Sequence, residues 1–168
     1  PKEAQKKLNL PRNPRDYTSI AVTTDDSNDE IVYASSMGDG VIQYKNGTPV
    51  QSYNEKNAFK ETAGGYGSGY CYIDGLAFDK NGNLWMTSSE VNHAVLVLDK
   101  AGAWHRLDIE QLRGVYTIND ILITSTNDKW IYVPRNTPKL VMIPNSESLD
   151  EVSSYEFTTL IDTDGKEL

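Results

Sequence analysis

The chain has 168 residues, a formal net charge of −8 at pH 7 and a single cysteine, Cys71. This length is sufficient for a domain with a sizeable apolar core, while the acidic balance repels phosphate backbones and argues against nucleic acid as a partner. One cysteine excludes an intrachain disulfide and cysteine-based zinc or redox motifs. No apolar run approaches the ~20 residues of a membrane-spanning helix. We expect no membrane span and no bound cofactor.

Residues 1–16 hold three prolines around a short helix-compatible patch from Glu3 to Leu10, and they predict a loosely held leader or the remnant of a preceding repeat. Residues 17–53 then contain four short strand-like runs separated by polar turns. The turn at Asn46-Gly47 is the strongest hairpin signal in the chain. The four runs predict strands at Tyr17–Thr24, Glu30–Ser36, Gly40–Lys45 and Pro49–Tyr53.

Residues 54–72 form a glycine- and tyrosine-rich insertion without helix or strand periodicity. Its glycines lack the spacing of a nucleotide-binding loop, and no Lys-Ser/Thr pair follows them. Binding loops often take the form of such an excursion from a strand framework. Tyr66, Tyr70 and Tyr72 are therefore candidate contacts for a ligand or partner. The structural alternative is a flexible connection whose tyrosines pack on the surface.

Residues 73–109 give the clearest strand pattern. Leu76 and Phe78 alternate with small or polar residues, a polar turn follows at Asn81-Gly82, and an apolar run containing Trp85 comes next. Two further runs, the second containing Trp104, complete a predicted four-stranded meander. Trp104 supplies an amphipathic ring, and we include it with the tyrosines as a candidate contact.

Residues 110–158 repeat the pattern, after a short connection that is compatible with a helical turn. Ile20, Leu76 and Ile121 occupy equivalent positions, at spacings of 56 and 45 residues. The second spacing falls within the ~40–50 residues of a four-stranded propeller blade, and the insertion lengthens the first. The sequence thus predicts an all-β fold, a β-propeller fragment of about three four-stranded antiparallel blades. The predicted strands of the third are Tyr116–Thr124, Lys129–Pro134, Lys139–Pro144 and Ser153–Thr158.

The predicted blades are residues 17–53, 73–109 and 110–158, and residues 159–168 are expected to lead into a further blade. Trp85 and Trp130 lie on second strands and are expected to pack between adjacent sheets. Rings contain about 4–8 blades, so three blades alone should not close. The terminal blades would then expose apolar faces that a homodimer or further blades must cover. The residues predicted to be exposed are Ile20, Val22, Ile31 and Val32 on one side, and Ile121, Ile131, Leu140 and Met142 on the other.

The run Asp79-x-Asn81-Gly82-Asn83-Leu84-Trp85, after Ile73-x-x-Leu76, resembles the repeat of two-component-regulator propellers. Met86-Thr87-Ser88 departs from the end of that repeat. The resemblance implies a non-catalytic recognition module at the periplasm or cell surface of a Gram-negative bacterium. It would belong to the extracytoplasmic sensor of a hybrid two-component system or to a PorZ-like surface component of type IX secretion. The ligand, whether glycan, peptide or protein, is left open.

A second resemblance, to gluconolactonase-like propellers, covers the run from Asp74 to Asp79. It implies a metal-dependent hydrolase in which Asp74 and Asn119 bind calcium or magnesium, and the cation polarises a lactone carbonyl. The aspartate blade here precedes the asparagine blade, the reverse of the order in that family, and no third ligand is identifiable. His93 and His105 stand near no plausible nucleophile in the sequence, so we expect structural roles for both.

Overall fold

The structure is a computed structural model that describes residues 16–59, 70–159 and 163–166. Within these ranges it contains twelve β-strands and one 3-10 turn, Glu110–Leu112. The patch from Glu3 to Leu10 and Tyr66 lie outside the described residues. The strands are β1 (Tyr17–Thr24), β2 (Glu30–Gly38), β3 (Gly40–Lys45), β4 (Thr48–Tyr53), β5 (Cys71–Phe78), β6 (Leu84–Ser88), β7 (Val95–Leu98), β8 (Trp104–Leu107), β9 (Ile121–Ile123), β10 (Lys129–Val133), β11 (Lys139–Ile143) and β12 (Tyr155–Phe157).

The strands pair in chain order as three antiparallel meanders of four, β1 to β4, β5 to β8 and β9 to β12. We call these meanders blade one, blade two and blade three. The end of β2 also pairs with the start of β5, through Met37 with Tyr72 and Gly38 with Cys71, which joins the first two blades. The all-β class and the propeller-fragment architecture are confirmed. In the part of the chain that is described, no helix is long and apolar enough to cross a bilayer.

The first strands of the three blades lie side by side. The Thr18 hydroxyl donates to the carbonyl oxygen of Ile73, and the amide of Leu76 donates to the Ser19 hydroxyl at 3.2 Å. A Cβ at Gly75 would stand 2.7 Å from the backbone nitrogen of Ile121, so the approach of β5 to β9 requires glycine. The strands β1, β5 and β9 are therefore the innermost ones, and each blade runs outward from them.

Asp79 organises the turn between β5 and β6. Its Oδ1 accepts hydrogen bonds from the amides of Asn81 and Asn83, and its Oδ2 accepts from the Asn83 side chain and from the indole nitrogen of Trp85, all at 2.9 Å. Asp25 plays a similar part between β1 and β2, where it accepts from the Ser27 amide. The run that carries the propeller resemblance therefore fixes a turn and the orientation of Trp85.

Side chains alternate between the two faces of β6. Leu84 and Met86 pack toward blade one with Val41 and Ile73. Trp85, which is 1% exposed, packs toward blade three in a second cluster. That cluster includes Ile121, Ile131, Val133, Val141 and Ile143. The prediction that Trp85 packs between adjacent sheets is confirmed.

Trp130 was also predicted to pack between adjacent sheets, but in the structure it does not. It is half-buried and stacks on Phe157, with ring centroids 5.4 Å apart, on the face of blade three that points away from blade two. Three residues predicted to be exposed on the terminal faces, Ile31, Ile121 and Ile131, are instead buried at 6%, 3% and 0% exposure. Their strands carry apolar residues on both faces, and the structure turns these three side chains toward blade two.

Blade three also begins later than predicted. Only Ile121–Ile123 pairs as its first strand, rather than Tyr116–Thr124. In the preceding segment, the amide of Ile118 donates to the Ser89 hydroxyl and the amide of Asn119 donates to the carbonyl of Tyr132. These groups are bound outside a regular ladder, so the segment forms an irregular connection.

Candidate functional site

A group of tyrosines and carboxyls lies at the start of β5, at the end opposite the Asp79 turn. We call Tyr70, Tyr72, Asp74, Glu90 and Tyr116 the tyrosine–carboxyl cluster. The rings of Tyr70 and Tyr72 stand 6.2 Å apart and are tilted by 49°. Position 38 accommodates the Tyr70 ring because it is glycine, since a Cβ there would come within 2.8 Å of the ring. Both tyrosines of the insertion that are described thus lie together at the inner edge of blade two.

Asp74 is held through Ser89, in the loop after β6. The Ser89 hydroxyl donates to Asp74 Oδ2 at 2.8 Å. Ser89 Oγ also accepts a hydrogen bond from the amide of Ile118, at 2.8 Å. Ser89 is fully buried. Burial raises the pKa of Asp74 to about 8, opposed by the hydrogen bonds from Ser89 and reinforced by the charge of Glu90. Folding therefore favours the protonated form of the Asp74 carboxyl.

Glu90 lies in the loop after β6, and it holds the segment before β9 next to Asp74. Its backbone adopts a left-handed conformation with φ of 62°, and its amide donates to the carbonyl of Val115 at 2.8 Å. The next residue, Tyr116, is 59% exposed. Burial raises the pKa of the Tyr72 hydroxyl, and the negative charges of Asp74 and Glu90 raise it further. The cluster thus combines half-buried and exposed phenols with two carboxyl groups, and its members come from three separate segments.

The other predicted contacts lie elsewhere. Trp104 is half-buried on β8, where its ring meets those of Tyr53 and Phe59 at centroid distances of 5.4 Å. Three strand spacings, roughly 14 Å, separate β8 from β5. Trp104 therefore packs against the outer part of blade one and does not adjoin Tyr72. Glu90 and Tyr116 were missed by the sequence analysis, because no local pattern marks them.

The metal hypothesis required Asp74 and Asn119. The Thr87 hydroxyl connects Gly75, the residue after Asp74, with Asn119: it accepts the amide of Gly75 at 2.9 Å and donates to the Asn119 carbonyl at 3.2 Å. However, one oxygen of Asp74 already accepts from Ser89, and the contact that Asn119 makes with Thr87 is made by its backbone carbonyl. Within the described ranges, no three His, Cys, Asp or Glu residues are grouped to hold a metal. The residues present do not fit the ion.

The two histidines lie in different parts of blade two. His105 Nε2 is 3.0 Å from Asp99 Oδ2, and its Nδ1 is 3.6 Å from Asp150 Oδ1. These contacts connect the outer strand of blade two to the loop before β12. His93 lines a small cavity with Cys71, Ser88 and Arg106, next to the core. The geometry gives His105 a structural role.

No protein-family model and no curated protein matches the sequence. Two solved structures are similar in fold. PorZ of Porphyromonas gingivalis, an essential bacterial surface component of the type-IX secretion system, superposes with a TM-score of 0.80 over 99% of this chain, at 19% identity. The extracellular domain of a putative hybrid two component system of B. thetaiotaomicron gives a TM-score of 0.50 over 79%, at 17% identity. The chain spans only 23% and 16% of those proteins. Both kinds of protein implied by the repeat resemblance therefore share the fold of this chain.

Proposed function

We propose that this chain is a non-catalytic recognition segment of a bacterial periplasmic or cell-surface protein, a sensor or a secretion-associated component, and that the tyrosine–carboxyl cluster is its contact surface. The observation that carries the proposal is the position of the cluster. It lies where the connections from three segments converge at the innermost strands of a rigid β framework, which is where such scaffolds place specificity. The fold similarity to a surface secretion component and to an extracellular sensor domain supports the cellular context.

The chemistry of the cluster favours a neutral or cationic ligand. Tyrosine rings pack on the apolar faces of sugars and on basic side chains. A protonated Asp74 has a hydroxyl that donates, whereas the Glu90 carboxylate only accepts. The net charge of −8 favours a ligand without strong negative charge. A glycan, or a peptide or protein segment that carries hydroxyl or basic groups, meets these requirements.

The hydroxyl bonded to Asp74 is that of Ser89, and its contacts support a non-catalytic role. Ser89 Oγ donates to the Asp74 carboxyl and accepts from the backbone of Ile118. Ser89 is fully buried and both of these hydrogen bonds are made within the protein, so its hydroxyl is not presented to a substrate as a nucleophile would be. The lactonase hypothesis also requires a cation that Asp74 and Asn119 do not fit.

The test is a glycan and peptide array probed with the labelled chain, followed by calorimetry on each hit. We expect Tyr116→Ala and Glu90→Gln to weaken binding by at least tenfold. Tyr155→Ala is the matched control, because Tyr155 is also exposed, at 54%, and lies on β12, away from the cluster. A hit whose affinity is unchanged in both cluster variants would contradict the proposed surface. Turnover of a bound ligand would contradict the non-catalytic role.

A further inference from the structure

The three blades share one turn and differ at a position that follows it. The amides of Asp25, Asp79 and Thr124 each donate to the carbonyl four residues further along the chain, at 3.1, 2.9 and 2.9 Å. Six residues after these amides, at the second position of β2, β6 and β10, stand Ile31, Trp85 and Trp130. Blade one therefore has an isoleucine where the other two blades have a tryptophan.

In blade two, the residue at this position fills the space next to the following blade. Trp85 is 1% exposed among the side chains of blade three, and its indole nitrogen donates to Asp79 Oδ2 at 2.9 Å. In blade one, the ammonium of Lys45 donates to Asp25 Oδ2 at 2.7 Å. Lys45 thus takes the place of the indole N–H on the turn carboxylate, but it supplies no ring.

A groove of about 550 Å³ opens between blades one and two at this position. Two half-buried rings, Tyr33 and Phe78, line it, and their centroids stand 5.8 Å apart in an edge-to-face arrangement. The buried aliphatic residues that line it are Ile31, Leu84 and Leu98. The volume lies within the roughly 300–1,000 Å³ of small-molecule sites. The apolar part of the groove therefore suits a flat ring similar in size to the indole that fills the next junction.

The rim of the groove is polar, and its carboxylates outnumber its ammonium groups. The charged residues on it are Asp25, Asp26, Lys45, Asp99 and Lys100. Lys45 is paired with Asp25, and Asp99 lies 3.0 Å from the ring of His105. Within the described ranges, the exposed Asp26 carboxylate makes no hydrogen bond or ion pair. Because a carboxylate only accepts hydrogen bonds, the rim favours a ligand with a cationic or N–H donor group over an anion.

We propose that this groove binds a small molecule that carries a flat aromatic ring and a cationic or N–H donor group at its edge, an aromatic amine. The ring packs against Tyr33 and Phe78, in the place that the Trp85 indole takes at the next junction, and the donor group meets Asp26. Burial of the ring and its contacts with two aromatic side chains stabilise the complex. The groove lies at the turn end of the blades, opposite the tyrosine–carboxyl cluster, so this proposal does not rest on the proposed function.

Calorimetry with tryptamine tests the site, because tryptamine joins an indole ring to a primary amine. We expect saturable binding with a Kd below about 1 mM, and binding of indole-3-acetate that is weaker by about threefold or more, because its carboxylate meets the acidic rim. Ile31→Trp places an indole in the groove and should weaken tryptamine binding by about tenfold or more. Val22→Trp is the matched control, because Val22 is 56% exposed on the opposite face of blade one, and it should bind as the wild type does.

A second variant keeps the test decisive if circular dichroism shows that Ile31→Trp does not fold. Asp26→Asn changes an exposed side chain and should weaken tryptamine binding by about threefold. Tyr116→Ala, in the tyrosine–carboxyl cluster, should leave it unchanged, which separates this site from the proposed function.

Three results would overturn the proposal. The first is the absence of tryptamine binding up to ~10 mM. The second is binding that persists unchanged in a folded Ile31→Trp variant or in Asp26→Asn. The third is tighter binding of indole-3-acetate, of methyl glucopyranoside or of the peptide Gly-Trp-Gly than of tryptamine, which would reject in turn the donor group, the aromatic ring and the small-molecule ligand.

Discussion

The two ends of β5 carry aspartates with opposite characters. Asp79, at the turn end, accepts four hydrogen bonds, including one from the Trp85 indole. Asp74, five residues earlier, accepts one side-chain hydrogen bond from Ser89, and burial raises its pKa to about 8. The comparison shows that the aspartate within the recognisable run stabilises the fold. The pKa of the other aspartate, Asp74, is strongly perturbed, which is a property of functional sites.

The largest effect should come from the ring that Asp79 orients. Trp85 is 1% exposed between blades two and three, so Trp85→Ala should lower the free energy of unfolding by about 3–5 kcal/mol. Trp130→Ala is the matched comparison, because it removes the same ring from an outward face, and it should cost about 1–2 kcal/mol. Urea denaturation followed by circular dichroism measures both. Equal losses would contradict the inward and outward assignment of the two rings.

The second largest loss of stability should come from removing the Asp79 carboxylate. Asp79→Ala leaves the Trp85 indole nitrogen and the Asn83 side chain without their acceptor, and both residues are buried. An unsatisfied buried polar group costs about 1–3 kcal/mol, so we expect a loss of about 2–4 kcal/mol. Ser89→Ala at the other end removes the only side-chain donor shown for Asp74 and should cost less. Chemical denaturation ranks the two, and the reverse order would reject the contrast between the two ends.

The pH dependence of stability should separate the two aspartates further. The folded-state pKa of Asp74, about 8, lies above its ordinary value of 3.8, so folding favours the protonated form. Its contribution to stability is complete below about pH 4 and is lost as pH rises to about 8. Asp74→Asn removes this dependence. We expect it to match the wild type near pH 4 and to be more stable by about 1–2 kcal/mol at pH 9, after allowance for its partial burial.

Denaturant midpoints at intervals from pH 4 to 9 give the measurement for that prediction. The control is Asp99→Asn, because hydrogen bonding by His105 lowers the pKa of Asp99. That carboxylate contributes stability above its unfolded pKa, so its replacement should not stabilise the protein at pH 9. An Asp74→Asn variant that is less stable than the wild type at pH 9 would show that the fold does not raise the pKa of Asp74.

Local chemistry made much of the fold predictable from the sequence. The Asn46-Gly47 turn requires two positive φ angles, and both residues have them, at 47° and 73°. The faces of the strands were harder to predict. Ile31 and Ile131 lie in strands that are apolar on both sides, so alternation does not indicate which side meets blade two.

The candidate site was predictable only in part, for a related reason. Tyr70 and Tyr72 stood out through the composition of their insertion. Glu90 and Tyr116 join them through hydrogen bonds that connect the loop after β6 with the segment before β9, from Glu90 to Val115 and from Gly114 to Val91. Such a contact depends on how two blades pack, and a pattern within either segment does not contain it.

The smallest effect should come from Lys129, which blade three places next to the Asp79 end of β5. Its side chain is 2% exposed and its Nζ lies 4.5 Å from the centre of the Trp85 ring, at the position where blade two has Leu84. Burial lowers the pKa of Lys129, opposed by the charges of Asp79 and Asp128. The cation–π contact contributes about 0.5–2 kcal/mol, and the lost hydration of the ammonium offsets it. We therefore expect Lys129→Met to change stability by less than about 1 kcal/mol, measured by urea denaturation at pH 7.

Lys80→Met, a substitution of an exposed lysine, is the control. If Lys129→Met, but not Lys80→Met, lowers the free energy of unfolding by more than about 2 kcal/mol, the Lys129 ammonium is a required partner of the Asp79 carboxylate. The Asp79 carboxylate would then be neutralised by a nearby cation, which would separate it from Asp74 in charge as well as in hydrogen bonding.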